Sequence, residues 1–81
     1  MVNKKIVISD LQIGQKAKIL KINIMSKDIR RHLLDMGLTV GTIVEVKKIA
    51  PTGDPIDIKL RDYELCVRKD DLSKIECEVI K

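Results

Sequence analysis

Between Pro51 and Arg61 the chain turns hard and then alternates, and no other segment restricts its fold as strongly. Pro51-Thr52-Gly53-Asp54-Pro55 places two prolines and a glycine in five positions, a density that marks a turn and excludes a continuing helix or strand. Ile56, Ile58 and Leu60 then alternate with Asp57, Lys59 and Arg61. Period-two alternation predicts a strand with one face in a core and one in water. Arg61-Asp62-Tyr63 reads as a short hairpin turn, with Asp62 taking the left-handed backbone, and Glu64 to Arg68 as the returning strand.

Outward from that hairpin, further short strands are expected. Thr42 to Ala50 precedes the turn as one strand, and Ile75, Cys77 and Val79 alternate as another near the end of the chain. Ala17 to Ile24 alternates only in part, which is taken as burial on more than one side. Ile8 to Gly14 reads as a lead-in turn, with Ser9 or Asp10 as its cap and Gly14 allowing a tight reversal. Asp70-Asp71-Leu72 reads as a brief helical turn. Five short strands at this spacing predict a mainly β fold, a small and partly open barrel.

One helix interrupts them. Ser26 is placed to accept first-turn N–H groups, Asp28 lies at the positive end of the dipole, and Gly37 supplies a left-handed stop. Ile29, Leu33 and Met36 recur at helical spacing and are expected to dock the helix on the barrel. So short a helix does not stand alone, so docking is required.

Composition supports one domain over residues 1–81. At 81 residues, 44% hydrophobic and 35% charged, the chain has enough apolar surface for one core and too little for two. Ile, Leu and Val dominate, with a single tyrosine and neither phenylalanine nor tryptophan. No apolar run reaches the roughly 20 residues that cross a bilayer, and the opening apolar stretch is too short for a signal peptide. A cytoplasmic location is therefore expected, with Cys66 and Cys77 as free thiols that pack as small residues.

Few chemistries fit this inventory. His32 is the sole histidine, with no nucleophile beside it, and no phosphate-cradling glycine loop is present, so no catalytic residue is assigned. A structural zinc site wants four Cys or His ligands and the chain holds three, so no metal ligand or cofactor is assigned either. His32 reads as a half-buried residue at the edge of the apolar stripe. A net charge of +4 permits an anionic partner, but single-strand binders need aromatic platforms and only Tyr63 is available; no nucleic acid is expected. Arg30, Arg31 and Leu34 fall off the docking stripe on one side of the helix. Arginine forks with an apolar neighbour suit a protein interface, and these three are the candidate partner contacts.

Several segments together resemble the FeoA family, the small cytoplasmic ferrous iron transport protein A. They are Leu11-x-x-Gly14-x-x-Ala17-x-Ile19, the run Arg30-Arg31-His32-Leu33-Leu34-Asp35-Met36-Gly37-Leu38, the run from Ala50 to Ile56, and Leu65-x-Val67-Arg68. The resemblance implies an SH3-like barrel with an inserted helix. It also implies a non-enzymatic accessory role at the cytoplasmic side of the FeoB-type membrane transporter, whose cytosolic region carries a GTPase. The same barrel forms the C-terminal domain of iron- and manganese-dependent repressors, which makes a regulatory module the alternative function. Asp62 stands where the family usually has glycine, and Cys66 and Leu72 stand where it has alanine, the two larger residues being expected to enlarge the core.

Overall fold

A computed structural model describes residues 5–80. Six strands form one antiparallel sheet: β1 (Lys5–Val7), β2 (Lys16–Ile22), β3 (Ile43–Ile49), β4 (Ile56–Leu60), β5 (Tyr63–Val67) and β6 (Ile75–Ile80). Their order is β1-β6-β2-β3-β4-β5. Helix α1 (Lys27–Asp35) joins β2 to β3, and a four-residue helix, α2 (Lys69–Leu72), joins β5 to β6. The sixth strand is β1, which lies just ahead of the Ile8–Gly14 lead-in in a segment to which the sequence assigns no element. Its three residues are too few for alternation to register.

All strands turn one face toward a single aliphatic core. Ala17, Ile19, Val44, Val46, Ile56, Ile58, Leu60, Ile75 and Cys77 are buried there with Ile8, Leu11, Leu33, Leu38 and Leu72. A six-stranded sheet feeds one core only if it curls, and two bulges help it do so. Between Ile19 and Lys21 the register with β6 slips, leaving Leu20 unpaired, and between Val46 and Lys48 the register with β4 slips at Lys47. The partial alternation of β2 has this cause. Ala17 and Ile19 face inward, the bulge at Leu20 inserts one residue, and Ile22 returns to the core two residues after Leu20. Burial on two sides is not involved.

The same register arranges the charges outside. Glu45 on β3 lies between Lys16 on β2 and Lys59 on β4, and Lys59 in turn faces Glu64 on β5. Lys5, Glu78 and Lys18 form a second such row across β1, β6 and β2. Opposite charges directly across strands attract. Lysines spread thinly along the sequence thereby become alternating rows in space.

Candidate interaction site

Helix α1 is built as the sequence implies at both ends. The Ser26 hydroxyl accepts a hydrogen bond from the Ile29 N–H at 3.4 Å. At the other end the Gly37 N–H donates to the Leu34 carbonyl and the Leu38 N–H to the Leu33 carbonyl, each at 3.0 Å. This pair of bonds is the Schellman stop, and it requires the left-handed φ of +96° that Gly37 adopts. Its hydrophobic partners, Leu33 and Leu38, are both buried. A further contact locks the junction, because the Tyr63 hydroxyl on β5 donates to the Met36 carbonyl. Tyr63 is thus a structural clamp on the helix exit, a role that sequence patterning did not suggest.

The docking of α1 is narrower than its apolar spacing predicts. Leu33 is its one fully buried residue, and Met36 packs partly against the core. Ile29, expected on the docking face, is 41% exposed. The register of nine helical residues explains this. The helix touches the barrel through its C-terminal half and the Leu38 that follows, so the first turn overhangs. Ile29 there lines a shallow groove of about 390 Å³ with His32, Leu33, Arg68, Asp70 and Asp71. His32, expected half-buried, is exposed.

Arg30, Arg31 and Leu34 all lie exposed on α1, Leu34 at 39%. Neither guanidinium is held in an ion pair with a described residue. Two planar cations beside a half-exposed leucine give a surface able to take carboxylates and apolar side chains together.

The 50–55 turn carries more structure than a change of direction. Gly53 donates its N–H to the Ala50 carbonyl at 2.7 Å with φ +91°, and the Asp54–Pro55 peptide is cis. Asp54 reaches across to α2, where its carboxylate accepts the Lys69 N–H at 2.8 Å. The carboxylate satisfies an amide that the helix itself leaves unpaired. Pro51 and Pro55 are exposed. In the β4–β5 hairpin the left-handed residue is Arg61, at φ +56°, and not Asp62. Leu60 pairs with Tyr63, so Arg61 is the first of the two loop residues and takes the position where such turns place φ above zero.

The two cysteines part company. Cys77 on β6 is fully buried, and burial pushes its thiol up to about 11, with the Asp10 carboxylate adding to the shift. Leu72 is fully buried as well, so it does enlarge the core. Cys66 does not: it points outward from β5, exposed, because its strand neighbours Leu65 and Val67 take the inner positions. The thiol donates a hydrogen bond to Asp57 on the facing strand, which raises its pKa, and slight desolvation and the charges of Asp57 and Asp54 act in the same direction. Among the described residues no three His, Cys, Asp or Glu side chains converge as a metal site would need. No described helix is long and apolar enough to cross a membrane.

A second groove, of about 680 Å³, lies where the turn after α1 meets β3 and β4. Lys16, Val40, Ile43, Glu45, Lys59 and Arg61 are among its walls. No sequence motif points to it, since its residues come from three strands and two turns.

A curled antiparallel sheet on one aliphatic core, with a short helix carried outward between its second and third strands, defines the class: a small SH3-like barrel with a helical insertion. The FeoA domain model matches residues 6–79, and the chain belongs to the FeoA family. It is 33% identical over 73 residues to the Fe(2+) transport protein A/Fe(2+) transporter FeoB fusion protein of Porphyromonas gingivalis. That match takes in 90% of this chain and only 8% of the fusion protein's length. The solution structure of the FeoA-like protein from Clostridium acetobutylicum superposes with a TM-score of 0.85 at 34% identity, covering 100% of this chain and 92% of that one. The FeoA protein of Chlorobium tepidum gives 0.88 at 28% identity, over 94% and 71% of the two chains. At 18% and 19% identity, Stenotrophomonas maltophilia FeoA, described as a procaryotic SH3 domain protein, and T. acidophilum IdeR share the fold, with TM-scores of 0.74 and 0.84.

Proposed function

We infer that residues 1–81 act as one non-enzymatic FeoA-type unit in the cytoplasm, an accessory of ferrous iron uptake. It binds the cytosolic GTPase region of a FeoB-type transporter and modulates it, with no membrane insertion, nucleic acid, metal or cofactor of its own. The observation that carries the partner is the fusion protein of P. gingivalis, whose name joins transport protein A to the transporter FeoB in one chain. Covalent joining keeps two modules at high effective concentration, which pays off where they touch. The contact surface proposed is α1, with Arg30 and Arg31 pairing to carboxylates and Leu34 as the apolar anchor. Leu33, Met36 and Gly37 hold the helix in place, while Ile29, exposed in the first turn, lies on the docking side in the groove beside α2. Pro51, Gly53, Asp54 and Pro55 keep a structural role.

Reversing both charges in Arg30→Glu/Arg31→Glu is expected to weaken binding to the transporter's cytosolic region by about tenfold or more, as loss of interface arginines does. Thermal stability should change little, because both side chains are exposed and outside any ion pair among the described residues. Calorimetric titration and thermal melts of the same samples check this, and unchanged affinity in the double variant would refute the assignment. The regulatory-module alternative has fold likeness alone behind it. Salt-sensitive retardation of DNA in a gel would speak for it.

A further inference from the structure

We propose that the groove between the 39–42 turn, β3 and β4 is a docking site for an extended protein segment carrying acidic side chains beside an apolar one. The proposal is independent of the transporter reading, which rests on α1.

Three observations favour this occupant. The first is charge. Lys16, Lys59 and Arg61 contribute three cations to the lining against one carboxylate, Glu45, and that carboxylate already faces Lys47 at 3.7 Å. The second is the apolar floor. Val40 is 64% exposed and Ile43 51%, and both lie among those cations. Apolar side chains left in water among cations that outnumber the groove's one carboxylate mark an interaction surface more than a solvated one.

The third is backbone. Arg61 holds a left-handed conformation at φ +56°, which strains a residue that carries a Cβ and which glycine adopts freely. Arg61 is also one of the groove's lining residues, and strain of this kind clusters where a side chain is used.

The walls are fixed before any partner arrives. Gly41 donates its N–H to the Ile19 carbonyl at 2.8 Å and Ile19 returns a bond to the Thr42 carbonyl at 2.9 Å. The Thr39 and Thr42 hydroxyls bond each other at 2.8 Å, and Thr42 lies 3.2 Å from the Gly37 carbonyl as donor. A rigid groove loses little entropy on binding. A nucleic acid fits less well: no aromatic ring lines the groove, Glu45 would repel phosphate, and the branched aliphatics would gain nothing from a sugar backbone.

The test uses the whole chain and a short fluorescent peptide alternating glutamate and leucine. Its glutamine and lysine counterparts and an oligothymidylate of similar length serve as comparisons. The acidic peptide should bind best, weaken as salt rises, and shift amide resonances at Val40, Ile43, Glu45, Lys59 and Arg61. Lys59→Gln/Arg61→Gly should weaken it by about tenfold. Arg61→Gly alone separates function from folding: it should melt higher than the parent and bind more weakly. Each of the following overturns the proposal: no binding, equal binding of the glutamine or lysine peptide, shifts confined elsewhere, tighter binding of the oligothymidylate at these residues, or concentration-dependent shifts there without peptide, which would make the occupant a second copy.

Discussion

Gly37 and Gly41 share nearly the same backbone, φ +96° and +95°, yet only one of them is crowded. A Cβ on Gly41 meets nothing within 4 Å. On Gly37 it would strike the Tyr63 hydroxyl and press on Leu60 at 3.3 Å. Tyr63 could swing away only by abandoning the Met36 carbonyl. Gly41→Ala should therefore cost about 1–2 kcal/mol of backbone strain, and Gly37→Ala about 1 kcal/mol more for the displaced hydrogen bond. Denaturant melts of both, and of Gly37→Ala on a Tyr63→Phe background, measure the difference. The tyrosine variant should erase most of the extra cost, since it removes the atom in the way. The glycine at the helix stop was legible in sequence from its position after the last apolar residue. The tyrosine was not, because its partner lies 27 residues away and no local pattern encodes it.

The elements show which sequence signals travel well. Alternation in 56–60, the Ser26 cap and the Gly37 stop are local, and each is found where the pattern puts it. Ile29 misleads because helical spacing identifies a face without saying how much of it the barrel reaches. Leu20 misleads because a bulge breaks period two, and a bulge depends on the partner strand. The charge rows across β2, β3, β4 and β5 are likewise invisible until register is known. They carry a prediction at this scale. Glu45→Lys places three like charges in line from Lys16 to Lys59, which should destabilise the protein by about 1–2 kcal/mol at low ionic strength, each reversed pair counting for up to about 1. Screening should recover a good part of the loss in concentrated salt, where the Debye length falls to about 3 Å. Melts of parent and variant across a salt series check both the loss and its recovery.

At the scale of the whole molecule, the aliphatic core is sealed around Cys77. A thiol held protonated up to about pH 11 in the fold loses its proton at its ordinary value near 9.0 once unfolded. Below pH 9 the two states bind the proton equally and stability is unaffected by it. Between about pH 9 and 11 the unfolded chain binds fewer protons, so stability falls with rising pH, by about 1.4 kcal/mol per unit at most. Stability curves from pH 8 to 11 should steepen downward in the parent, and Cys77→Ala, though less stable throughout, should fall less steeply over that window. Overall architecture was the most legible layer, because many short strands and a dense turn block leave few alternatives. The candidate surfaces were less so. Arg30, Arg31 and Leu34 sit on one helix and are visible as a local cluster, whereas the groove of Lys16, Val40, Ile43, Lys59 and Arg61 exists only after the sheet has curled.

Strand β6 is the last of the described strands in sequence yet interior in the sheet, flanked by β1 and β2. During synthesis, β2 through β5 can pair neighbour with neighbour as each leaves the ribosome. Residues 75–80 emerge afterwards, and until they do, β1 has no strand beside it and one side of β2 is an open edge. Closure of the core around Ile75 and Cys77 thus follows the synthesis of the other described strands, and a polypeptide stalled before Ile75 presents an unfinished edge open to chaperones and proteases.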